Sequence, residues 1–396
     1  MSDDVKEIFR RAKEGKSIFV DRDSLNPNFL PDSLPFREGQ SKEIAEILSP
    51  ILLGSKPSNL LLYGKTGTGK TVVARKVLKT LKDTAERNNL VVAYVNARTE
   101  STEYRTLAEF ARSLDLPKDE QIPFTGLSTG EVVERISRQI KRNGMHAVLV
   151  LDEIDYLVRE FGDGVLYEFT RSSERMAPGF LSLVGISNDL KFKEGLDPRV
   201  LSSLSEEELV FPPYTVEELR AILNERAKVA FRPSAASPGA INLCAAMAGS
   251  EHGDARRAID LLRIAGEVAE REGRKGIDDS CVRQASSKME VDRVDEAIRS
   301  LPVQNKAILY AVSRFDGGTN TGELYLAYSN LCKKLGIETL TQRRVSGILG
   351  DLDLLGLVEA SVVSKGRRGR TKKIQLLIGR EALTKALSED PAFDFP

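Results

Sequence analysis

The chain has 396 residues, long enough for two or three domains with separate cores. Its 58 Lys+Arg balance 58 Asp+Glu, which excludes a uniformly basic nucleic-acid-binding protein and requires any such surface to arise from local segregation of charge. Cys244, Cys281, Cys332, His146 and His252 show no metal-ligand spacing, residues 1–15 lack the apolar core of a signal peptide, and no run reaches transmembrane length, so a soluble, cytoplasmic chain with no membrane partner is expected.

Four apolar runs rich in Val, Leu and Ile occur at 60–63, 91–95, 148–151 and 181–186. Such runs suit strands buried on both faces. Amphipathic stretches such as 72–87 and 131–142 lie between them, which predicts a parallel sheet wrapped by helices. Directly after the first run stands Gly64-Lys65-Thr66-Gly67-Thr68-Gly69-Lys70-Thr71, followed by Val72. Two glycines with four residues between them, then Lys and a hydroxyl residue, between strand and helix, fit a phosphate-binding loop. The glycines let successive backbone N–H groups form a nest, the helix N-terminus adds its dipole, Lys70 can neutralise outer phosphates and Thr71 can hold Mg²⁺. ATP or ADP with Mg²⁺ is the expected ligand, at the carboxyl ends of the strands.

Residues 97–142 hold more helical sequence than a minimal sheet needs, at 102–114 and at 117–130 with its Pro123 and Gly126. By residue chemistry alone, an extra helical pair is scaffold. The third apolar run delivers Asp152 and Glu153 at its tip. In phosphoryl transfer one carboxylate serves the metal and another polarises water, which assigns Asp152 to Mg²⁺ and Glu153 to the attacking water. Alone, such a pair also suits a helix cap or a solvated edge; the preceding glycine loop favours chemistry. The fourth run ends at Asn188, whose amide could orient water or touch a γ-phosphate, although Asn188-Asp189 equally suits a turn.

After Phe211-Pro212-Pro213-Tyr214 the strand signal stops, and 216–231, 239–247 and 255–272 read as helices of a small domain. Gly253-Asp254-Ala255-Arg256-Arg257 opens the third of these, with Asp254 as cap. Arg256 could reach a γ-phosphate, or the motif is simply a helix start. From about 291 come helices at 294–299, 304–315, 324–335 and 341–355, then strands at 357–363 and 373–378 around a basic loop, the pattern of a winged helix. Lys365, Arg367, Arg368, Arg370, Lys372 and Lys373 have no core role; if all six met phosphates, log affinity would fall against log salt with a slope of about −5. Gln342, Arg343 and Arg344 begin the helix before the hairpin, the place of a recognition helix, where Gln suits adenine and Arg guanine.

Together, the glycine loop, Asp152-Glu153, Asn188 and residues 253–256 resemble the AAA+ ATPases. With the last hundred residues added, nearly the whole chain resembles the archaeal origin-recognition and cell-division-cycle type replication initiators. Leu30-Pro31-Asp32-Ser33-Leu34-Pro35 and Arg37-Glu38-Gly39-Gln40 are similar to that family's adenine-side segment. The resemblance implies an α/β fold: an AAA+ parallel-sheet ATPase domain over 1–211 with a helical insertion near 100–130, a small all-helical lid over 212–291, and a C-terminal winged-helix domain over 292–396. It places the family's sensor asparagine at Asn188, its second sensor arginine at Arg256, and its hinge tyrosine and next-helix arginine, both nucleotide contacts, at Tyr214 and Arg226. From residue chemistry, Tyr214 could equally cap a core and Arg226 be a solvated charge. In relatives the insertion touches DNA.

One departure matters. Related AAA+ subunits often carry a transferable arginine finger at the last position of the stretch 196–203, which here is Ser203, leaving Arg199 as the remaining candidate. Such a finger is worth about 10³ to 10⁵ in rate, so its displacement predicts slow, Mg²⁺-dependent hydrolysis acting as a switch. The implied function is an ATP-regulated initiator that binds double-stranded origin DNA, recruits the replicative helicase and acts with other initiator copies. Two rivals share the architecture: a DNA motor or loader with fast, DNA-stimulated turnover, and a signalling ATPase whose winged helix contacts protein, against which the basic hairpin argues.

Overall fold

The chain is seen in a computed structural model that describes residues 17–27, 29–85, 89–204, 206–364 and 370–393, with side chains at 173, 174, 362–364, 370 and 371 left undescribed. It divides into two units, Met1–Val282 and Arg283–Pro396. In the first, α1 (Glu38–Leu48) leads to β1 (Asn59–Tyr63), α2 (Lys70–Thr84), β2 (Leu90–Asn96), α3 (Ala97–Glu100), α4 (Glu103–Arg112) and α5 (Thr129–Asn143). There follow β3 (His146–Asp152), α6 (Ile154–Phe161), α7 (Gly164–Ser172), β4 (Phe180–Ser187), α8 (Pro198–Leu204) and β5 (Glu206–Val210). The strands form a parallel sheet in the order β2-β3-β4-β1-β5.

Every residue of β1, β3 and β4 is buried. The reason is period two with helices on both faces: Leu149 and Leu151 join the core under α4 and α5, while Val148 and Val150 join the core under α1 and α2. Each such fully buried side chain contributes roughly 1.5–3 kcal/mol, so neither face tolerates a charge. The four expected strands are therefore present. The fifth, β5, carries Glu206, Glu207 and Glu208, which do not read as a buried strand. It lies at the sheet edge, paired only with β1, and Lys193 bridges Glu206 and Glu208. An edge strand needs no apolar run on both faces.

The insertion differs from expectation. Thr102 caps α4, as a helix start requires, but 117–128 is not helical. Pro117 and Pro123 interrupt it, and Gly126 adopts φ +108. Side chains hold its backbone instead: Gln139 Nε2 donates to the carbonyls of Leu114 and Asp115, Arg135 Nη1 to that of Gln121, and Tyr104 Oη to that of Pro123. Ser128 then caps α5, which ends at left-handed Gly144.

The lid consists of α9 (Val216–Ala230), α10 (Pro238–Ser250) and α11 (Ala255–Arg271), started respectively by a Thr215/Glu218 capping box, Ser237 and Asp254. Residues 17–25, which precede the sheet in sequence, pack on this lid although the expected base domain was 1–211. The Phe19 ring lies 4.8 Å from that of Phe231, Val20 N donates to Ala230 O, and Arg232 N donates to Ile18 O.

The second unit begins within α12 (Asp279–Ser300), which supplies Ile298 to its core, where the sequence predicted helix only from 294. Then come α13 (Val303–Ser313), β6 (Thr319–Asn320), α14 (Thr321–Leu335), α15 (Gln342–Leu354), β7 (Val358–Ser364), β8 (Arg370–Leu376) and α16 (Arg380–Ser388). The antiparallel sheet β6-β8-β7 packs through Val358 and Ile374 against Tyr328 and Leu349, giving a winged helix with a short third strand and a closing helix that the sequence reading lacked. Among the described residues, no helix is long and apolar enough to cross a membrane.

Candidate nucleotide and nucleic-acid sites

The loop between β1 and α2 is shaped by what presses on it. Gly67 adopts φ +74, and a Cβ there would lie 1.7 Å from Asp254 Oδ1; Gly69 adopts φ +94, and a Cβ there would lie 2.7 Å from Tyr214 Oη. Only glycine permits both the left-handed backbone and these approaches by the lid and its hinge. Ala255 N, at the start of α11, donates to Gly67 O at 3.1 Å, so the lid helix begins directly on the loop.

Lys70 is 5% exposed, and its ammonium donates to Gly64 O (2.6 Å), Lys65 O (2.8 Å) and Asn188 Oδ1 (2.9 Å). Burial pushes its pKa down to about 8, against the opposing pull of Asp152 and Asp155. Thr71 Oγ1 donates to Asp152 Oδ2 at 2.9 Å, and the Tyr94 hydroxyl donates to the same oxygen. Burial first, then Asp152, raises the Tyr94 phenol. Glu153 sits at φ +57 ahead of α6, with Asn96 Nδ2 at 3.5 Å and Arg98 Nη1 at 3.6 Å from its carboxylate. The backbone N–H of Asn188 donates to Asp155 Oδ1 at 3.3 Å.

These groups open onto a cavity of about 720 Å³, of the size that holds a small molecule. Lys70, Thr71, Asp152, Glu153, Asn188 and Arg256 line it together with Thr66 to Val72 and Tyr214, and Phe29, Leu30 and Pro31 add apolar side chains. A nucleotide fits this donor set: a glycine cradle and buried ammonium for phosphates, a hydroxyl and carboxylate 2.9 Å apart for a hydrated cation, and apolar side chains for a base. Arg226 also lines the cavity, but its guanidinium stacks on Phe29 at 4.8 Å and donates to Ser24 O at 3.0 Å, so its described contacts brace the Phe29 side of the cavity. Arg199 is not brought to this cavity. It is exposed on α8 and paired at 3.0 Å with Asp197.

Sequence reasoning missed Tyr94, Asn96 and Arg98 around the carboxylates. The signal was present: β2 is parallel to β3 with Asn96 opposite Asp152, so the strand-tip logic that selected Asp152 and Asn188 applies equally to the end of the second run.

In the second unit, Thr341 Oγ1 caps α15 by accepting from Arg344 N at 3.4 Å. Gln342, Arg343 and Arg344 are all exposed on its first turn. On β8, Lys373 is exposed and Lys372 half-buried, while Arg370 starts the strand opposite Ser364. Lys365, Arg367 and Arg368 lie outside the described residues. In the insertion, Phe124 is 70% exposed with the Arg105 guanidinium 5.4 Å from its ring centre.

The low Lys70 value has a measurable consequence. A polyphosphate beside Lys70 favours the ammonium, so binding above pH 8 takes up a proton. Affinity for ADP should be level below pH 8 and fall by up to tenfold per unit above it, by titration calorimetry across pH 7–10; a level profile to pH 10 contradicts the assignment.

Residues 54–190 match an AAA domain family, 220–287 the Cdc6 AAA+ ATPase-type lid domain, and 296–386 the Cdc6 C-terminal winged-helix domain. The chain is 48% identical over 394 residues to the ORC1-type DNA replication protein 1 of Aeropyrum pernix, covering 98% of each chain. It is 46% identical over 393 residues to that of Sulfurisphaera tokodaii, covering 98% of this chain and 97% of the relative. Among solved structures, the Aeropyrum pernix ORC1 protein in complex with DNA superposes with a TM-score of 0.84 at 47% identity, over 95% of this chain and 98% of that one. Cdc6p from Pyrobaculum aerophilum superposes with a TM-score of 0.62 at 25% identity, over 94% and 100%. A parallel-sheet ATPase module, a Cdc6-type lid and a Cdc6-type winged helix in one chain, matched end to end by such relatives, place this protein in the family of ORC1/Cdc6-type DNA replication initiators.

Proposed function

We propose that the chain is an ATP-controlled switch that holds double-stranded origin DNA through its winged helix and insertion, and that slow hydrolysis changes how it holds it. The observation that carries this reading is the seating of the lid helix on the phosphate loop through Ala255 N and Gly67 O, with Arg256 facing the same cavity as Lys70. Phosphates bound there touch sheet and lid together, so ATP and ADP select different lid angles. Thr71 and Asp152 hold Mg²⁺, which when bound neutralises phosphate charge. Glu153 accepts the proton of the attacking water, Lys70 and Asn188 steady the outer phosphates, and Arg256 reports the γ-phosphate to the lid.

Glu153 shares its carboxylate with Asn96 and Arg98, and Arg199 pairs with Asp197 outside the lining of its own cavity, which together support slow turnover by the isolated chain. Arg199 then serves another initiator copy, and recruitment of the replicative helicase follows from family membership. Gln342, Arg343 and Arg344 supply the groove-facing turn, and Lys365, Arg367, Arg368, Arg370, Lys372 and Lys373 the phosphate contacts. A nuclease footprint on the organism's own replication origin, compared in ATP and ADP, tests the reading. Discrete protected repeats whose extent changes with nucleotide are expected; uniform protection of any duplex, identical in both nucleotides, contradicts it.

A further inference from the structure

Two stretches of chain cross between sheet and lid: residues 29–36, which follow the lid-bound segment 17–25, and residues 211–215, which lead from β5 into α9. Arg37 stands where they meet. The residue is 2% exposed, and its guanidinium donates to three backbone carbonyls, Nε to Thr68 O (2.9 Å), Nη1 to Phe36 O (2.9 Å) and Nη2 to Pro212 O (2.5 Å), beside a side-chain hydrogen bond with Tyr214. The guanidinium lies 3.9 Å from the ring centre of Tyr214, the hinge residue whose hydroxyl presses on Gly69. Phe36, immediately before it, is held at φ +66, a left-handed backbone that an aromatic residue rarely adopts. Burying a cation is unfavourable, and a strained neighbour adds to the cost, so mere filling of space would select an apolar side chain here.

The acceptor on the loop explains what the cation does. In a planar trans peptide the C=O and the following N–H point in opposite directions. Holding Thr68 O therefore aims the N–H of Gly69, and Ala255 N on Gly67 O likewise aims the N–H of Thr68. These are donors of the phosphate cradle. We infer that Arg37 is a positioning residue that orients the phosphate-loop donors and ties them to the lid hinge, so that nucleotide occupancy reaches the lid through the loop backbone as well as through Arg256. Only a planar fork with several donors spans the three carbonyls; a lysine reaches fewer. This rests on the nucleotide reading of the cavity.

The test uses the full chain with MgADP. Arg37→Gln should weaken ADP binding by about tenfold or more, with Arg37→Lys between it and the parent chain. Hydrogen exchange over 253–259 should be slowed by ADP in the parent chain and much less in Arg37→Gln, with nucleotide-free circular dichroism unchanged. If Arg37→Gln does not fold, Tyr214→Leu, which removes the ring beneath the guanidinium, should produce the same loss of ADP-induced protection. Equal lowering of Tm with and without ADP, with that protection intact, would mark a purely structural arginine and overturn the inference. Lys70→Ala separates the two levels: ADP binding that survives it overturns the site itself, whereas loss in Lys70→Ala with parent-like Arg37 variants overturns only the role of Arg37.

Discussion

Lys70→Ala is expected to lower affinity for MgATP and MgADP by about 10² to 10⁴, whereas Glu153→Gln should leave affinity within about threefold and cut turnover by about 10² to 10⁴. The first magnitude follows from losing about two charge-assisted hydrogen bonds to phosphate, each about 1.5–3 kcal/mol. The second is the usual effect of removing a positioned base. Glutamine keeps the shape at Glu153 and its Asn96 contact but cannot accept the water proton. Titration calorimetry and single-turnover hydrolysis of labelled ATP separate the two, and normal hydrolysis by both variants would sink the site. Lys70→Ala should also change stability in a definite direction. The Lys70 pKa falls from 10.5 to about 8 in the fold, so the unfolded chain binds more protons between those values and nucleotide-free stability rises with pH across that window. Below pH 8 the buried ammonium opposes folding. The alanine variant should therefore melt no lower than the parent at pH 7 without nucleotide, and should gain nothing from ADP. A large drop in its nucleotide-free Tm would mean that the ammonium's bonds to Gly64, Lys65 and Asn188 outweigh its desolvation.

The sequence exposed whatever depends on local chemistry. The glycine loop, Asp152-Glu153 and Asn188 were found because each ends a strand that is apolar on both faces, and a parallel sheet gathers such ends at one edge. Asn96 obeys the same rule and was passed over because no paired carboxylate marked it. Features created by long-range contact had no local signature. The Glu-rich edge strand β5 is a strand only because β1 pairs with it, and residues 17–25 belong beside the lid only because Phe19 meets Phe231 and fits where Gly266 has no side chain. In the sequence Arg37 stands out only as part of a stretch similar to the family's adenine-side segment; its burial against Thr68, Pro212 and Tyr214 exists only once the hinge has folded over it. The failed helix at 117–128 is the opposite case, since Pro117, Pro123 and Gly126 were visible and outweigh the helical composition around them.

The basic wing should dominate the salt dependence of DNA binding. With 58 positive and 58 negative side chains the chain has no overall attraction for a polyanion, so removing three of six clustered cations changes a large share of the local field. Replacing Arg367, Arg368 and Arg370 together by alanine should flatten the slope of log affinity against log salt by about 2.7 and weaken binding to origin and unrelated duplex alike. Changes at the start of α15 should behave differently. Gln342, Arg343 and Arg344 project from a turn that Thr341 fixes, so a side chain there that reads a base edge costs about 1–3 kcal/mol for the matching site and little for unrelated duplex. An arginine that instead meets phosphate shifts the slope by about 0.9 and leaves specificity intact. Single alanine variants, titrated by fluorescence anisotropy on both duplexes at several salt concentrations, assign each residue to one class. Unchanged affinity and slope in the triple wing variant would remove the wing from the DNA interface and leave the fixed turn of α15 as its centre.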